Sequence, residues 1–219
     1  MTHRPSRRAP SRTPTGHPAL DAIVAELAAL DAELEERVTE HAEIYRGRYM
    51  LVEHDEIVRP DGGRAQRDII IHPGAVVIAP LDSDGRLLFV AQYRLAAGGV
   101  LLELPAGTLD VHGGVVEDPA AAAARELEEE TGYRAGRMER LGGFYSAPGF
   151  LTEYLSLFLA ADLVPAGEDR LAPDEDERLR LFRLPWRDAV TAVETGLIED
   201  SKSVSGILLA ARRLEAAGG

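Results

Sequence analysis

The order of apolar and polar positions divides the chain into stretches of different period. Leu20, Ile23, Leu27, Leu30 and Leu34 recur at spacings of three and four, which puts them on one stripe of a helix. The stripe predicts a helix over residues 19–46, with Val38 one position off its register. A helix with one apolar face packs on its own domain or on a sister subunit. From residue 49 the period shortens. Residues 49–58 alternate loosely, residues 60–63 read Pro-Asp-Gly-Gly, and residues 67–72 are rich in isoleucine. This pattern is a β-hairpin with its turn.

Pro73 and Gly74 break the hairpin, and strands are expected at 75–80, 86–94 and 100–104. Asp82-Ser83-Asp84-Gly85 is the tight turn between the first two. Residues 120–124 are all alanine, the best helix former. Asp118 suits the N-cap, Pro119 the first helical position, and Gly132 the position just past the end. A helix over 119–131 follows. Further strands are expected at 140–145, 154–161 and 178–185, and closing helices at 185–194 and 201–214, with Gly196 ending the first. No internal repeat is visible. Strands before and after a central helix, with helices at the end, predict an α/β or α+β sandwich.

Composition narrows the function. The 219 residues suffice for one ordinary domain plus an extension, and 45% are hydrophobic. The absence of cysteine excludes disulfides, a thiolate nucleophile and a cysteine zinc site, and it fits a cytoplasmic location. No apolar run reaches the roughly 18 residues of a membrane span. Residues 1–18 carry Arg4, Arg7, Arg8 and Arg12 and no acid, and read as a disordered basic tail. No apolar core follows these arginines, so the tail is not a secretory signal. A net charge of −13 argues against nucleic acid as partner. It leaves a phosphate substrate open if divalent metal sits in the site.

Candidate chemistry lies on the alanine-led helix. Glu126, Glu129 and Glu130 stand at i, i+3 and i+4 and share one face. Taken alone, such a face is either solvated or a metal site. The surrounding pattern adds to this. Glu117, then Arg125-Glu126-Leu127-Glu128-Glu129-Glu130-Thr131-Gly132-Tyr133, with Leu101-Leu102-Glu103-Leu104-Pro105-Ala106-Gly107 before them, resembles the Nudix hydrolase box. That box runs glycine, glutamate, then Arg-Glu-aliphatic-x-Glu-Glu-x-Gly-aliphatic. Two positions depart from it. Nine residues separate Gly107 from Glu117, about four more than the pattern holds. The closing position carries Tyr133 in place of an aliphatic residue.

Other stretches resemble the ADP-ribose pyrophosphatase group of that family. They are His72-Pro73-Gly74-Ala75, Val90-Ala91-Gln92-Tyr93-Arg94, Glu103 to Gly107, Ser146-Ala147-Pro148-Gly149-Phe150, and Gly196-Leu197-Ile198-Glu199-Asp200-Ser201-Lys202. The resemblance implies a Nudix α/β/α sandwich with a mixed sheet over residues 73–214. It is preceded by the helix at 19–46 and by a hairpin region at 47–72, a candidate dimerisation element in a homodimer. It implies Mg²⁺, with Mn²⁺ as an alternative, on Glu126 and Glu130. Glu129 would share or bridge, and the Ala106 carbonyl would be a further ligand. Arg125 would orient a glutamate, and Glu117 would be structural.

The same resemblance implies a nucleoside diphosphate sugar as substrate, ADP-ribose first, cleaved to AMP and ribose 5-phosphate. Arg94 would meet the diphosphate or terminal ribose, and the loop residues Phe150 and Glu153 would line the substrate. Glu103 reads either as a site residue or as a salt-bridged strand residue. In the acidic run at 174–177, Glu175 or Glu177 would be the base toward the attacking water, Glu177 being favoured. The alternatives are another nucleotide sugar such as GDP-mannose, and a protein that binds ADP-ribose or acts as a scaffold without catalysis. An oxidised-nucleotide triphosphatase fits the Pro-Gly-Phe and Gln-Tyr-Arg stretches less well. A zinc-bearing NADH pyrophosphatase fits poorly with a chain that has no cysteine.

Overall fold

The computed structural model describes residues 13–48, 50–172 and 178–218. Most of the basic tail and the acidic run at 174–177, with Glu175 and Glu177, lie outside the described residues. The chain forms two compact units: Met1–His72 with Ala147–Thr152, and Pro73–Ser146 with Glu153–Gly219.

The first unit opens with helix α1, Pro18–Glu33. Three strands follow, β1 (Arg37–Arg46), β2 (Leu51–Val58) and β3 (Arg64–Ile71), in an antiparallel meander. The helix expected over 19–46 therefore stops at Glu33, and the second half of that stretch is a strand. The apolar stripe ends at Leu34, and Val38, Thr39, Ile44 and Tyr45 are β-branched or aromatic residues that favour strands. Pairing with β2, from Arg37 opposite Val58 to Arg46 opposite Leu51, then fixes the extended form. The expected hairpin is the β2–β3 pair, closed by Arg59 and Gly63. The segment 147–152 joins this unit through Ile70 N–H, which donates to the Phe150 carbonyl at 2.7 Å.

The second unit is layered. Its larger sheet runs β10 (Tyr133–Tyr145), β11 (Tyr154–Pro165), β4 (Ala75–Pro80), β7 (Ala106–Thr108). The β11–β4 pair is parallel and the others antiparallel, so the sheet is mixed. A smaller sheet runs β12 (Arg180–Pro185), β5 (Arg86–Arg94), β6 (Gly99–Glu103). Every residue of β4 is buried because both its faces are covered. Ala75, Val77 and Ala79 pack with Leu87, Phe89, Leu104, Leu155, Leu157 and Leu159. Ala189 of helix α3 (Trp186–Glu194) and Ile207 of helix α4 (Ser201–Ala216) close that core. Val76, Ile78 and Phe158 face the other way, onto Ala122, Ala123 and Leu127 of helix α2 (Pro119–Thr131).

Helix α2 has the termini its sequence specifies. The Asp118 side chain accepts from Ala120 N–H at 3.0 Å and Ala121 N–H at 3.1 Å, Pro119 leads, and Gly132 ends it in the left-handed region. Its small alanines let it lie close to the sheet, and Leu127 is fully buried. Burying a side chain of that size contributes about 1.5–3 kcal/mol. The long segment between Gly107 and Glu117 holds a small hairpin, β8 (Val111–His112) and β9 (Val115–Val116). Gly113 and Gly114 form its turn at φ of 60° and 84°, the positive pair that a tight two-residue hairpin requires.

Candidate active site

The side chains of α2 that face away from the Leu127 core meet β7. The Ala106 backbone N–H donates to Glu130 Oε2 at 3.1 Å. The Glu126 carboxyl lies against Gly107 so closely that a Cβ there would overlap it. Two glutamates one helical turn apart thus grip two successive residues of the strand. Glu130 is 6% exposed.

Arg125 gathers the remaining acids. Its Nη1 donates to Glu126 Oε1 and Glu129 Oε2, each at 2.8 Å. Its Nη2 donates to Glu117 Oε2 at 2.9 Å, and its Nε to Glu117 Oε1 at 3.3 Å. This bidentate pair raises the Arg125 pKa, with Glu126 and Glu129 adding to it and burial opposing it. The same bond holds the Glu117 carboxyl below its ordinary value, against a smaller effect of burial. Glu117 also accepts from Asp110 N–H at 3.2 Å, which ties the start of the helix to the preceding loop. Glu128 takes no part: its carboxylate turns away to Arg134 at 2.7 and 2.8 Å and to Leu171 N–H at 3.0 Å.

The result is three carboxylates, Glu117, Glu126 and Glu129, around one guanidinium, with Glu130 one turn on from Glu126 and held by Ala106. A set with that excess of negative charge fits a hard divalent cation, which takes oxygen ligands. Gly107 leaves the space for the Glu126 carboxylate, and the Ala106 backbone is already against Glu130.

A profile of the NUDIX domain matches residues 71–203, which include this entire arrangement. The chain belongs to the Nudix family. It is similar to an ADP-ribose pyrophosphatase of Bacillus subtilis (strain 168), 34% identical over 174 residues, covering 80% of this chain and 91% of the relative. It is also similar to a GDP-mannose pyrophosphatase of Yersinia pestis (strain Pestoides F), 34% identical over 141 residues, covering 60% and 67%. Among solved structures, one described as an ADP compounds hydrolase superposes with a TM-score of 0.73 at 25% identity. It covers 84% of this chain and 96% of that one. The protein is therefore a Nudix pyrophosphohydrolase with the mixed-sheet sandwich of that family.

Around the Nudix helix the structure places a second charged group. Arg94 donates through Nε and Nη2 to Glu103 at 2.8 and 2.7 Å. Glu103 is 1% exposed, and Lys202 Nζ also donates to it. Of the two readings of Glu103, the strand salt bridge is thus present. Lys202 and Asp200 escaped assignment from sequence. They lie in the noted stretch 196–202, but only the fold brings them to Glu103, about a hundred positions upstream.

Phe150 belongs with the first unit, where the residue is 52% exposed. Glu153 begins the last segment of the second unit, where its carbonyl accepts from Ser146 N–H at 3.3 Å. His41, Glu53 and Asp55, in the first unit, also bring ligand atoms within 4.8 Å of one another. His41 Nδ1 lies 2.8 Å from Asp55 and Nε2 lies 3.6 Å from Glu53. That pairing accounts for the imidazole without a metal.

Proposed function

We propose that the protein hydrolyses the pyrophosphate bond of ADP-ribose, giving AMP and ribose 5-phosphate, with Mg²⁺ as cofactor. The observation that carries this reading is the grip of Glu126 on Gly107 and of Glu130 on the Ala106 N–H, with Glu129 drawn in by Arg125. These oxygens, with the Ala106 carbonyl, would hold the metal. A divalent cation, when bound, supplies neutralisation of pyrophosphate charge and a more acidic water.

The chain's own residues do the rest. Arg125 spreads one positive charge over Glu117, Glu126 and Glu129 and holds the three carboxylates aligned. Arg94 keeps its Nη1 edge without a partner among the described residues, and that edge suits a phosphate oxygen. Glu153 lines the substrate in this reading. Glu177, or Glu175, takes a proton from water as the new phosphorus–oxygen bond forms and the bridging bond breaks.

We also propose a homodimer in the cytoplasm. Helix α1 buries none of its residues within the chain, and Leu20, Ile23 and Leu27 on its apolar stripe are exposed. An unpacked stripe of this kind is the surface a second copy would cover, with residues 47–72 reaching across. A solution mass near twice 23.7 kDa supports this and a mass of one chain overturns it.

Incubation with ADP-ribose or GDP-mannose and Mg²⁺, followed by chromatography of the products, tests the activity. AMP and ribose 5-phosphate, with the higher kcat/KM for ADP-ribose, are expected. Preference for GDP-mannose would move the reading to the rival nucleotide sugar. Tight ADP-ribose binding with no cleavage in Mg²⁺, Mn²⁺ or Zn²⁺ would make the protein a binding module.

A further inference from the structure

The first turn of α4 carries an ion network that ends at Arg94. Asp200 caps the helix, accepting from Ser203 N–H at 3.1 Å and from Ser203 Oγ at 2.6 Å. Ser203 Oγ in turn accepts from Leu104 N–H at 2.7 Å, next to Glu103. Lys202 bridges Asp200 Oδ2, at 2.7 Å, and the Glu103 carboxylate. Glu103 holds Arg94 in a bidentate pair. Two cations and two anions therefore share one enclosed network. The Lys202 side chain is 14% exposed, so little water is at hand to replace its ammonium.

We propose that Lys202 is a positioning residue: by sharing the Glu103 carboxylate it leaves Arg94 charged toward a diphosphate and fixes which edge of the guanidinium faces it. The inference rests on reading Arg94 as a phosphate ligand. A guanidinium paired to a carboxylate of its own is close to neutral and attracts phosphate weakly. Lys202 draws off part of that carboxylate's charge. Glu103 takes the Nε–H and one N–H of Nη2, so the second Nη2–H and the two N–H groups of Nη1 are the donors left to point onward. The network also borders the Nudix helix. Hydrogen bonding to Glu103 raises the Arg94 pKa against the effect of burial, and the charges of Glu103, Glu130 and Asp200 add to it. Without Lys202, Arg94 is the one cation left on the Glu103 carboxylate among the described residues.

The test is a double-mutant cycle in the full-length protein with Mg²⁺ saturating. Lys202→Met is expected to raise KM for ADP-ribose about tenfold and to change kcat less than about twofold. In an Arg94→Ala background the same change should have no further effect, because the residue it acts through is gone. Equal losses in both backgrounds, or a fall in kcat at unchanged KM, overturn the proposal. Lys202→Gln, which keeps a donor but not the charge, carries the same test if Lys202→Met does not fold by its melting curve. The nucleotide-sugar reading fails separately, if wild-type protein cleaves neither ADP-ribose nor GDP-mannose. The cycle is then read from calorimetric binding of inorganic pyrophosphate, where an Arg94-dependent loss of affinity supports the role of Lys202 and its absence overturns it.

Discussion

The Glu126 carboxylate occupies the space beside the Gly107 Cα that any larger residue would fill with its Cβ. One turn on, Glu130 accepts from the N–H of the neighbouring Ala106. Strand and helix are thus set against each other through two successive residues, and the position of the acidic cluster depends on glycine at 107. Gly107→Ala separates stability from function. The backbone at Gly107 is not in the left-handed region, so alanine brings no conformational strain. The atoms it strikes are the end of a flexible side chain, which can swing away. The melting free energy should stay within about 1 kcal/mol of wild type. With Glu126 as the proposed metal ligand, displacing its carboxylate by an ångström should lower kcat/KM about 100-fold. A variant of unchanged activity would show that Glu126 is not placed by this contact.

Arg125 is the shared counter-charge for Glu117, Glu126 and Glu129. Arg125→Lys keeps the charge but loses the fork, since one ammonium cannot reach three carboxylates in these directions. A loss of about 1–2 kcal/mol is expected for a partly exposed network, a fall in Tm of roughly 2–8 °C. Saturating Mg²⁺ should raise the Tm of Arg125→Lys more than that of wild type, because the added cation offsets acids the arginine no longer holds. Calorimetric melts with and without Mg²⁺ decide it. Equal shifts in both proteins would mean that the arginine does not share its acids with the metal.

Glu103 gives the fold a defined response to acid. Burial pushes its pKa up, but Arg94 and Lys202 outweigh that, and the carboxyl titrates below its ordinary value. A carboxylate whose folded pKa lies below its unfolded one, about 4.3, stabilises the fold at higher pH. That stabilisation is present above the unfolded pKa and is lost as pH falls through the folded one. Wild type should therefore melt above Glu103→Gln at pH 7, and the gap should close below about pH 4. Tm measured across that range checks this. A gap that stays constant to about pH 3 would mean that folding does not lower the Glu103 pKa.

Patterns that repeat along the chain were legible where one local rule decided the outcome. Helix α2 runs over the residues that Asp118, Pro119 and Gly132 mark out, because cap chemistry is set within a few residues. Strands β4 and β5 likewise have the bounds that the apolar runs and the Asp-Ser-Asp-Gly turn announce. The reading failed at residues 37–46, where extended structure comes from pairing with β2 and not from local preference. It also stopped short at β10, whose polar start at Tyr133 is drawn into the sheet by β11 as far as Pro165. The site divides in the same way. Glu126, Glu129 and Glu130 declare themselves by helical spacing. Lys202 and Glu103 are neighbours only in space, and no spacing rule connects them.

The hairpin of β8 and β9 tests whether the long segment before Glu117 matters to the site. Val111, Val115 and Val116 are exposed, and the hairpin pairs only with itself among the described residues. What the site uses is its base. Glu117 N–H donates to the Asp110 carbonyl at 2.8 Å, and the Glu117 side chain holds Arg125. Replacing residues 111–116 with the dipeptide Asn-Gly leaves Asp110 and Glu117 as the ends of a two-residue turn, which keeps that hydrogen bond. It also removes four residues, from nine to five, between Gly107 and Glu117. Shortening an exposed loop while keeping its closing contact should leave kcat/KM within roughly threefold of wild type. Steady-state assays of the two proteins check it. A loss as large as that expected for Gly107→Ala would make the hairpin part of the site, and Val111, Val115 and Val116 would then be its substrate-facing residues.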